Sequence, residues 1–183
     1  VAETYHATLE AFVEKEIFSK LSGSQKRFLG AIAVFTEPMP LDSLSGLNAD
    51  INLLDELVEK GLARRIDSEN YDVHDLVREF LVRSMDDSLK MELHSNAVEW
   101  YRKRSNSAAE KIEFIHHLDA SNDYDQLAEV LMEEGSGLVK AGHTELLGIL
   151  RELDSDGFEP LNWGFIRELR GDILSLQGRW DEA

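Results

Sequence analysis

The stretch Tyr71-Asp-Val-His-Asp-Leu-Val-Arg-Glu-Phe80 decides the fold of this chain, because its residues change at the middle from a β-prone run to apolar side chains at helical spacing. Residues 62–66 and 71–73 are short β-prone runs on either side of the turn-forming residues 67–70, which predicts a hairpin. After the hairpin, apolar side chains recur at helical spacing at Leu76, Val77, Phe80, Leu81 and Met85. The sequence therefore predicts two strands that lead directly into a helix, with His74 at the corner.

Two helices are predicted at the start of the chain. The first covers residues 7–21, where apolar side chains fall three and four positions apart. The second has Ser24 as its N-cap and stops at the Glu-Pro-Met-Pro sequence of residues 37–40. Its inward face carries Phe28, Leu29, Ile32, Ala33 and Phe35.

A third helix is predicted between these two and the hairpin. It follows a short helical stretch at residues 41–47, is capped by Asn48 or Asp50, and ends at Gly61. Its inward face carries Ile51, Leu54, Leu57 and Val58. Three helices, a two-stranded wing and a fourth helix follow one another in the order of a winged helix.

From residue 88 onward only helical periods remain, which predicts helical hairpins. Breaks are expected near residues 105–107, 121–123, 135–137, 142 and 154–160. Three turns repeat one pattern, in which a helix end is followed by a turn residue and a polar run that opens the next helix: Asn122, Gly142 and Gly178. We interpret the apolar stripes as core rather than as ligand grooves, at Leu127, Val130, Leu131, Leu146, Leu147 and Leu150.

Composition narrows the classes of function. The chain has 183 residues, no cysteine, and 36 acidic against 19 basic side chains, for a net charge of −17. The lack of thiols favours a reducing interior, so we expect a cytoplasmic location. The longest apolar run, residues 28–35, is far shorter than the roughly 20 residues of a membrane span, and we expect no membrane contact. Because the chain begins without methionine and ends inside a predicted repeat, we expect it to be part of a longer protein.

Signatures of an enzyme are absent from the sequence. There is no Gly-Lys-Ser/Thr phosphate loop, and residues 135–137 are interpreted as a helix break rather than a dinucleotide cradle. Glu113 and His116 have the i, i+3 spacing of a di-iron ligand pair, but the sequence has one such pair where a site needs two. His116 and His117 are neighbours on one predicted helix, so we expect them to point apart. The sequence thus predicts no catalytic residue, no metal site and no cofactor in this segment.

Charge argues against nucleic acid as a partner. The third helix of a winged helix often lies in the major groove of DNA, but residues 50–60 here carry four acids and one lysine. Residues 22–85 as a whole have 11 acidic and seven basic side chains, whereas phosphate contacts need several converging cations. A DNA-binding transcription regulator with a helical dimerisation or sensor tail therefore stands as the alternative function.

The sequence of residues 53–65, Leu-Leu-Asp-Glu-Leu-Val-Glu-Lys-Gly-Leu-Ala-Arg-Arg, together with residues 71–78, resembles the winged-helix domain of STAND signalling ATPases. This class includes apoptosome, plant resistance and maltose-activator-like proteins, in which a hydrophobic-His-Asp triplet ends the wing. The triplet here is Val73-His74-Asp75. The resemblance implies that His74 senses nucleotide by facing the phosphates of ATP or ADP, held by a preceding ATPase domain of the parent chain.

The end of the chain, residues 169–183, resembles the first helix and turn of a tetratricopeptide repeat. Gly171, Gly178, Trp180 and Ala183 fit the repeat pattern, whereas arginines at positions 167 and 170 depart from its apolar positions. The resemblance implies a mainly α fold in which helical hairpins bind a partner protein or an inducer.

These observations predict three parts. They are a linking helix at residues 1–21, a winged helix at residues 22–86, and tetratricopeptide-like hairpins at residues 87–183 that are truncated at the C-terminus. The function that the resemblance implies is a non-enzymatic regulatory segment, in which the winged helix contacts the ATPase domain and the repeats contact a partner.

Overall fold

The computed structural model describes Lys15 and residues 18–47, 51–104 and 107–182. The chain divides into two compact units, one ending at Asn96 and the other beginning at Ala97. We call them the wing unit and the repeat unit. The architecture is mainly α with one small antiparallel sheet, as expected from the sequence.

The first long helix of the wing unit is α1 (Gly23–Ala33), and its N-cap lies two residues earlier than predicted. Ser22 is the N-cap, not Ser24: its hydroxyl accepts from the Gln25 N–H at 3.2 Å. The Gln25 side-chain oxygen accepts in return from the Ser22 N–H at 3.0 Å. This reciprocal pair is a capping box, which uses a glutamine three residues after the cap. The predicted inward face of α1 is buried.

Helix α2 (Ile51–Glu59) follows a 3₁₀ stretch at Leu41–Leu47. The turn after α2 contains Gly61, whose φ is +69°. The proposed caps Asn48 and Asp50 lie outside the described residues. So does most of the helix predicted at residues 7–21, of which Phe18–Lys20 forms a short 3₁₀ turn.

The sheet of the wing unit has three strands where the sequence predicted two. Strands β2 (Ala63–Arg65) and β3 (Asn70–Val73) form the expected hairpin, and β1 (Met39–Pro40) pairs antiparallel with the other side of β3. A two-residue strand has no side-chain period, and its proline indicates a helix stop, so the sequence pattern hides it. Helix α3 (Asp75–Ser84) follows the hairpin directly.

The core of the wing unit combines residues from all of these helices. Phe28 and Ile32 of α1, Leu54 and Leu57 of α2, and Leu81 of α3 are each at most 4% exposed. Phe80 was grouped with the same inward face but is only half-buried. Its ring lies edge-on to that of Phe18, with 5.2 Å between the centroids.

Helix α4 (Asp87–Tyr101) contains the division between the two units, which lies between Asn96 and Ala97, whereas the sequence placed a boundary after residue 86. The repeat unit continues with α5 (Ala108–Ala120), α6 (Tyr124–Lys140), α7 (Leu146–Glu152) and α8 (Pro160–Leu176). Helix α6 packs against both α5 and α8, and α7 packs against α8. The predicted core positions of α6 and α7 are buried except Val130, which is half-buried.

The helix break predicted at residues 135–137 was wrong, because α6 runs through these residues. Gly135 is a packing position, because a Cβ atom there would lie 2.6 Å from Cδ1 of Leu169 on α8. The absence of a side chain therefore lets α8 approach α6 closely.

Three turns of the repeat unit end their helices in the same way, as the repeated sequence pattern predicted. Asn122, Gly142 and Gly178 all have positive φ, at 59°, 92° and 72°. In each turn the next N–H donates to a carbonyl five residues back, at 3.0, 3.1 and 2.9 Å. This is the Schellman ending, which left-handed residues permit. The same kind of turn therefore follows α5, α6 and α8. No helix in the described ranges is long and apolar enough to cross a membrane.

Candidate functional site

His74 occupies the corner between β3 and α3, at the N-cap position of α3. Its backbone is extended, with φ −62° and ψ 139°, and its side chain makes no cap hydrogen bond. The residue is exposed. The imidazole therefore projects outward beside a helix N-terminus, where partial positive charge favours anions. The adjacent Asp75 already places one carboxylate in the first turn of the helix.

The buried carboxylate of Asp72 holds one side of this corner. Arg64 on β2 donates to Oδ2 of Asp72 from Nε at 3.1 Å and from Nη2 at 2.5 Å. The N–H of Val73 donates to Oδ1 at 2.8 Å. The Asp72 side chain is only 6% exposed, so these bonds replace the water that a buried charge would lose.

Arg78 on α3 holds the other side. Its Nη2 donates to Oδ1 of Asp72, and its Nη1 donates to the carbonyl oxygen of Ala33, the last residue of α1, at 2.9 Å. One guanidinium therefore joins β3, α3 and the C-terminal end of α1. His74 lies between the two residues that this ion pair connects.

Sequence reasoning missed this ion cluster of Asp72, Arg64 and Arg78. The signal was present in part, because a hairpin with its turn at residues 67–70 places Arg64 opposite Asp72, as the strand register confirms. The contacts of Arg78 could not be predicted from the hairpin register, because its partners on β3 and α1 depend on how α3 packs.

The basic side chains of the wing are both engaged by carboxylates. Asp72 raises the pKa of Arg64, chiefly through their hydrogen bond. Arg65 donates to Asp55 of α2 at 3.2 Å and lies over the ring of Tyr71, 5.2 Å from its centroid. Both arginines thus have intramolecular partners.

The histidines of α5 do not point apart, as had been expected from their adjacency. His116 and His117 each bring a ring nitrogen to within 4.8 Å of the other. Nε2 of the fully buried His117 also lies 3.8 Å from Oε2 of Glu113, one turn earlier. The separation expected from a helical wheel is reduced because long side chains converge by rotation about their χ angles.

No protein-family model matches the chain, and no curated protein matches it either. Among solved structures, the fold is similar to a crystal structure of a signal transduction ATPase with numerous domains, or STAND, protein with a tetratricopeptide repeat sensor from Pyrococcus horikoshii. The similarity has a TM-score of 0.68 and covers 93% of this chain at 18% identity. The chain resembles part of a STAND protein.

The likeness to the STAND protein agrees with the resemblance seen in the sequence and shows the fold. It includes a mainly α architecture, a small wing and helical repeats. The chain spans about a quarter of the solved STAND chain, 26% of its length.

Proposed function

We propose that this chain is a non-enzymatic regulatory and protein-interaction segment of a STAND-type signalling ATPase. The observation that carries the proposal is the order of parts within one chain. A wing ends at an exposed His74 on an ion-paired corner, and tetratricopeptide-like hairpins follow. The likeness to a STAND protein over 93% of the chain supports the same reading.

In this proposal the wing unit is a winged helix that contacts the ATPase domain of the parent chain, and His74 faces the phosphates of bound ATP or ADP. The exposure of His74 and the absence of a cap hydrogen bond support that role. A histidine N–H beside a helix N-terminus is suited to a phosphate oxygen.

The repeat unit would bind a partner protein or an inducer, in a cytoplasmic setting. Large apolar side chains at its surface support this role, because such groups are available for burial in a complex. They include Met132, Leu161, Leu176 and Trp180.

The DNA-binding alternative gains no support from the wing. Arg64 and Arg65 are both paired with carboxylates, and α2 carries Asp55, Glu56 and Glu59. A mobility shift on random duplex DNA, repeated over a range of salt concentrations, tests the alternative. Tight, salt-sensitive binding would favour it over the regulatory proposal.

The decisive experiment uses the parent chain with the residues that precede this segment. We expect a phosphate loop there and co-purified nucleotide, and we expect His74→Ala to change ADP retention. His143→Ala is the matched control, because this histidine lies in the repeat unit and bonds to Glu145 at 2.8 Å. A parent chain without a phosphate loop, or ADP retention that ignores His74, would contradict the proposal.

A further inference from the structure

Arg78 makes hydrogen bonds on both sides of His74 in the chain. Its main-chain N–H donates to the carbonyl oxygen of His74 at 2.8 Å, at the N-terminal end of α3. Its Nη2 donates to Oδ1 of Asp72, an oxygen that also accepts from the N–H of Val73 at 2.8 Å. Its Nη1 donates to the carbonyl oxygen of Ala33 at 2.9 Å. Arg78 therefore holds the main chain around His74 and connects it to the end of α1.

We propose that Arg78 is a positioning residue for His74, which directs the imidazole toward the phosphates of bound ADP. The inference rests on the proposed function, because it assigns a role to a second residue at the same site. The Arg78 side chain is only 19% exposed, and its guanidinium donates to oxygen atoms of the protein. Its effect on the nucleotide therefore passes through His74.

The side chain of His74 needs support from the main chain. It is exposed and makes no cap hydrogen bond, so the ring can turn between the rotamers that its backbone allows. The direction of the Cα–Cβ bond then decides which ligand atoms the ring can reach. That direction is set by the main chain at φ −62° and ψ 139°, which the bonds of Arg78 hold in place.

The geometry of these contacts requires arginine rather than lysine. A guanidinium is a planar fork whose nitrogens donate in fixed, different directions, whereas an ammonium group is a compact point charge. Arg78→Lys keeps a positive charge beside the buried carboxylate of Asp72 but is expected to lose one of the two side-chain contacts. The variant therefore loosens the corner without leaving a buried charge unpaired.

A purely structural role for the ion cluster would explain the same contacts. Under that explanation, Arg78→Lys would change the rate of ADP release by the same factor whether or not His74 is present. A positioning role makes the effect of Arg78→Lys on ADP release depend on His74. A double-mutant cycle measures this dependence.

The experiment loads the parent chain with a fluorescent ADP analogue and measures its release after a chase with unlabelled ADP. We expect Arg78→Lys to speed release about tenfold, as for the loss of one hydrogen bond to a charged group. In the His74→Ala background, the same substitution should leave the release rate unchanged. Arg65→Lys is the matched control, because Arg65 lies on the same hairpin but pairs with Asp55. It should leave the release rate unchanged in both backgrounds.

Two results would overturn the inference. If Arg78→Lys has no effect on release, or an equal effect in both backgrounds, Arg78 has a structural role alone. The regulatory proposal would then still stand, provided that His74→Ala itself speeds release. A parent chain that holds no ADP, or ADP release that does not respond to His74→Ala, would overturn both.

A second variant covers the case in which Arg78→Lys does not fold. Arg64→Lys weakens the same ion cluster from its exposed side, because the Arg64 side chain is 51% exposed. We expect faster ADP release in this variant as well, and only where His74 is present. An unchanged release rate in folded Arg64→Lys would then contradict the inference.

Discussion

Arg78 reaches back along the chain to the buried carboxylate of Asp72 and so closes a loop of seven residues around His74. The same guanidinium donates to the end of α1 at Ala33, which fixes the loop to the rest of the wing unit. The position of His74 is therefore determined by charges that lie beneath the surface on which it is displayed.

Replacing Asp72 should destabilise the wing unit strongly. Asp72→Asn removes the charge that Arg78 and Arg64 share, and the Arg78 side chain is only 19% exposed. Leaving such a cation without its partner is expected to lower the free energy of unfolding by about 3 kcal/mol or more. Chemical denaturation of the variant measures the loss.

The control for that variant is Asp55→Asn, which breaks an ion pair with Arg65 between two half-exposed side chains. Exposed pairs contribute less than about 1 kcal/mol. If Asp72→Asn and Asp55→Asn lowered the free energy of unfolding by similar amounts, the buried ion cluster would stabilise the wing unit no more than an exposed ion pair does.

Substituting His74 itself should leave stability almost unchanged. Its exposed side chain makes no cap hydrogen bond, so His74→Ala is expected to shift the free energy of unfolding by no more than about 0.5 kcal/mol. A loss of about 1 kcal/mol or more is typical of a capping residue. That result in a denaturation experiment would assign His74 to the structure of the corner rather than to sensing.

Two glycines of α6 should respond to alanine in opposite directions. Gly135→Ala places a Cβ atom 2.6 Å from Leu169, so overpacking should destabilise the repeat unit by about 1–3 kcal/mol. Gly137→Ala meets nothing within 4 Å and should stabilise by up to about 1 kcal/mol through the higher helix propensity of alanine. Thermal unfolding of both variants makes the comparison, and equal effects would contradict the close approach of α8.

Asp119 should lower the stability of the repeat unit more at neutral pH than in mild acid. Burial raises its pKa, and the charge of Glu152 raises it further. The folded chain then binds this proton more readily than the unfolded chain, so the penalty from Asp119 is fully present above the folded pKa. It shrinks as the pH falls through the folded pKa and is absent below the unfolded pKa. Asp119 also lies at the C-terminal end of α5, where a negative charge is unfavourable.

Asp119→Asn is accordingly expected to raise the free energy of unfolding at neutral pH by roughly 0.5–1 kcal/mol, with the gain shrinking as the pH is lowered. Asp125→Asn is the matched control, because Asp125 lies in the favourable first turn of α6 and its loss should destabilise. Urea denaturation over a pH series measures both. A gain for Asp119→Asn that is the same at every pH would rule out the protonation argument.

Features determined by neighbouring residues were predictable from the sequence. The corner at His74 follows from a change of period within ten residues, and the turns at Gly142 and Gly178 follow from residues that tolerate positive φ. The core faces were predictable as well, because a buried helix face has apolar residues three and four positions apart in the sequence.

Features determined by a distant neighbour were not predictable in the same way. Glycine is a residue type that commonly ends a helix, so the sequence predicted a helix break at Gly135. Only its contact with Leu169 on another helix shows that it is a packing position. The ion pair between Arg78 and Asp72 and the convergence of His116 with His117 depend on side-chain rotamers, which a periodic pattern does not specify. Of the candidate sites, the sequence could thus place His74 but not its supporting charges.

The shared ending of the helices at Asn122, Gly142 and Gly178 has a consequence for how this protein can vary. Each turn is closed by main-chain atoms, so only the left-handed residue itself is constrained to be glycine or asparagine. The surface residues on either side can be exchanged without reopening the turn. These three loops therefore offer places where recognition of a new partner could be engineered, or selected by evolution, while the scaffold keeps its shape.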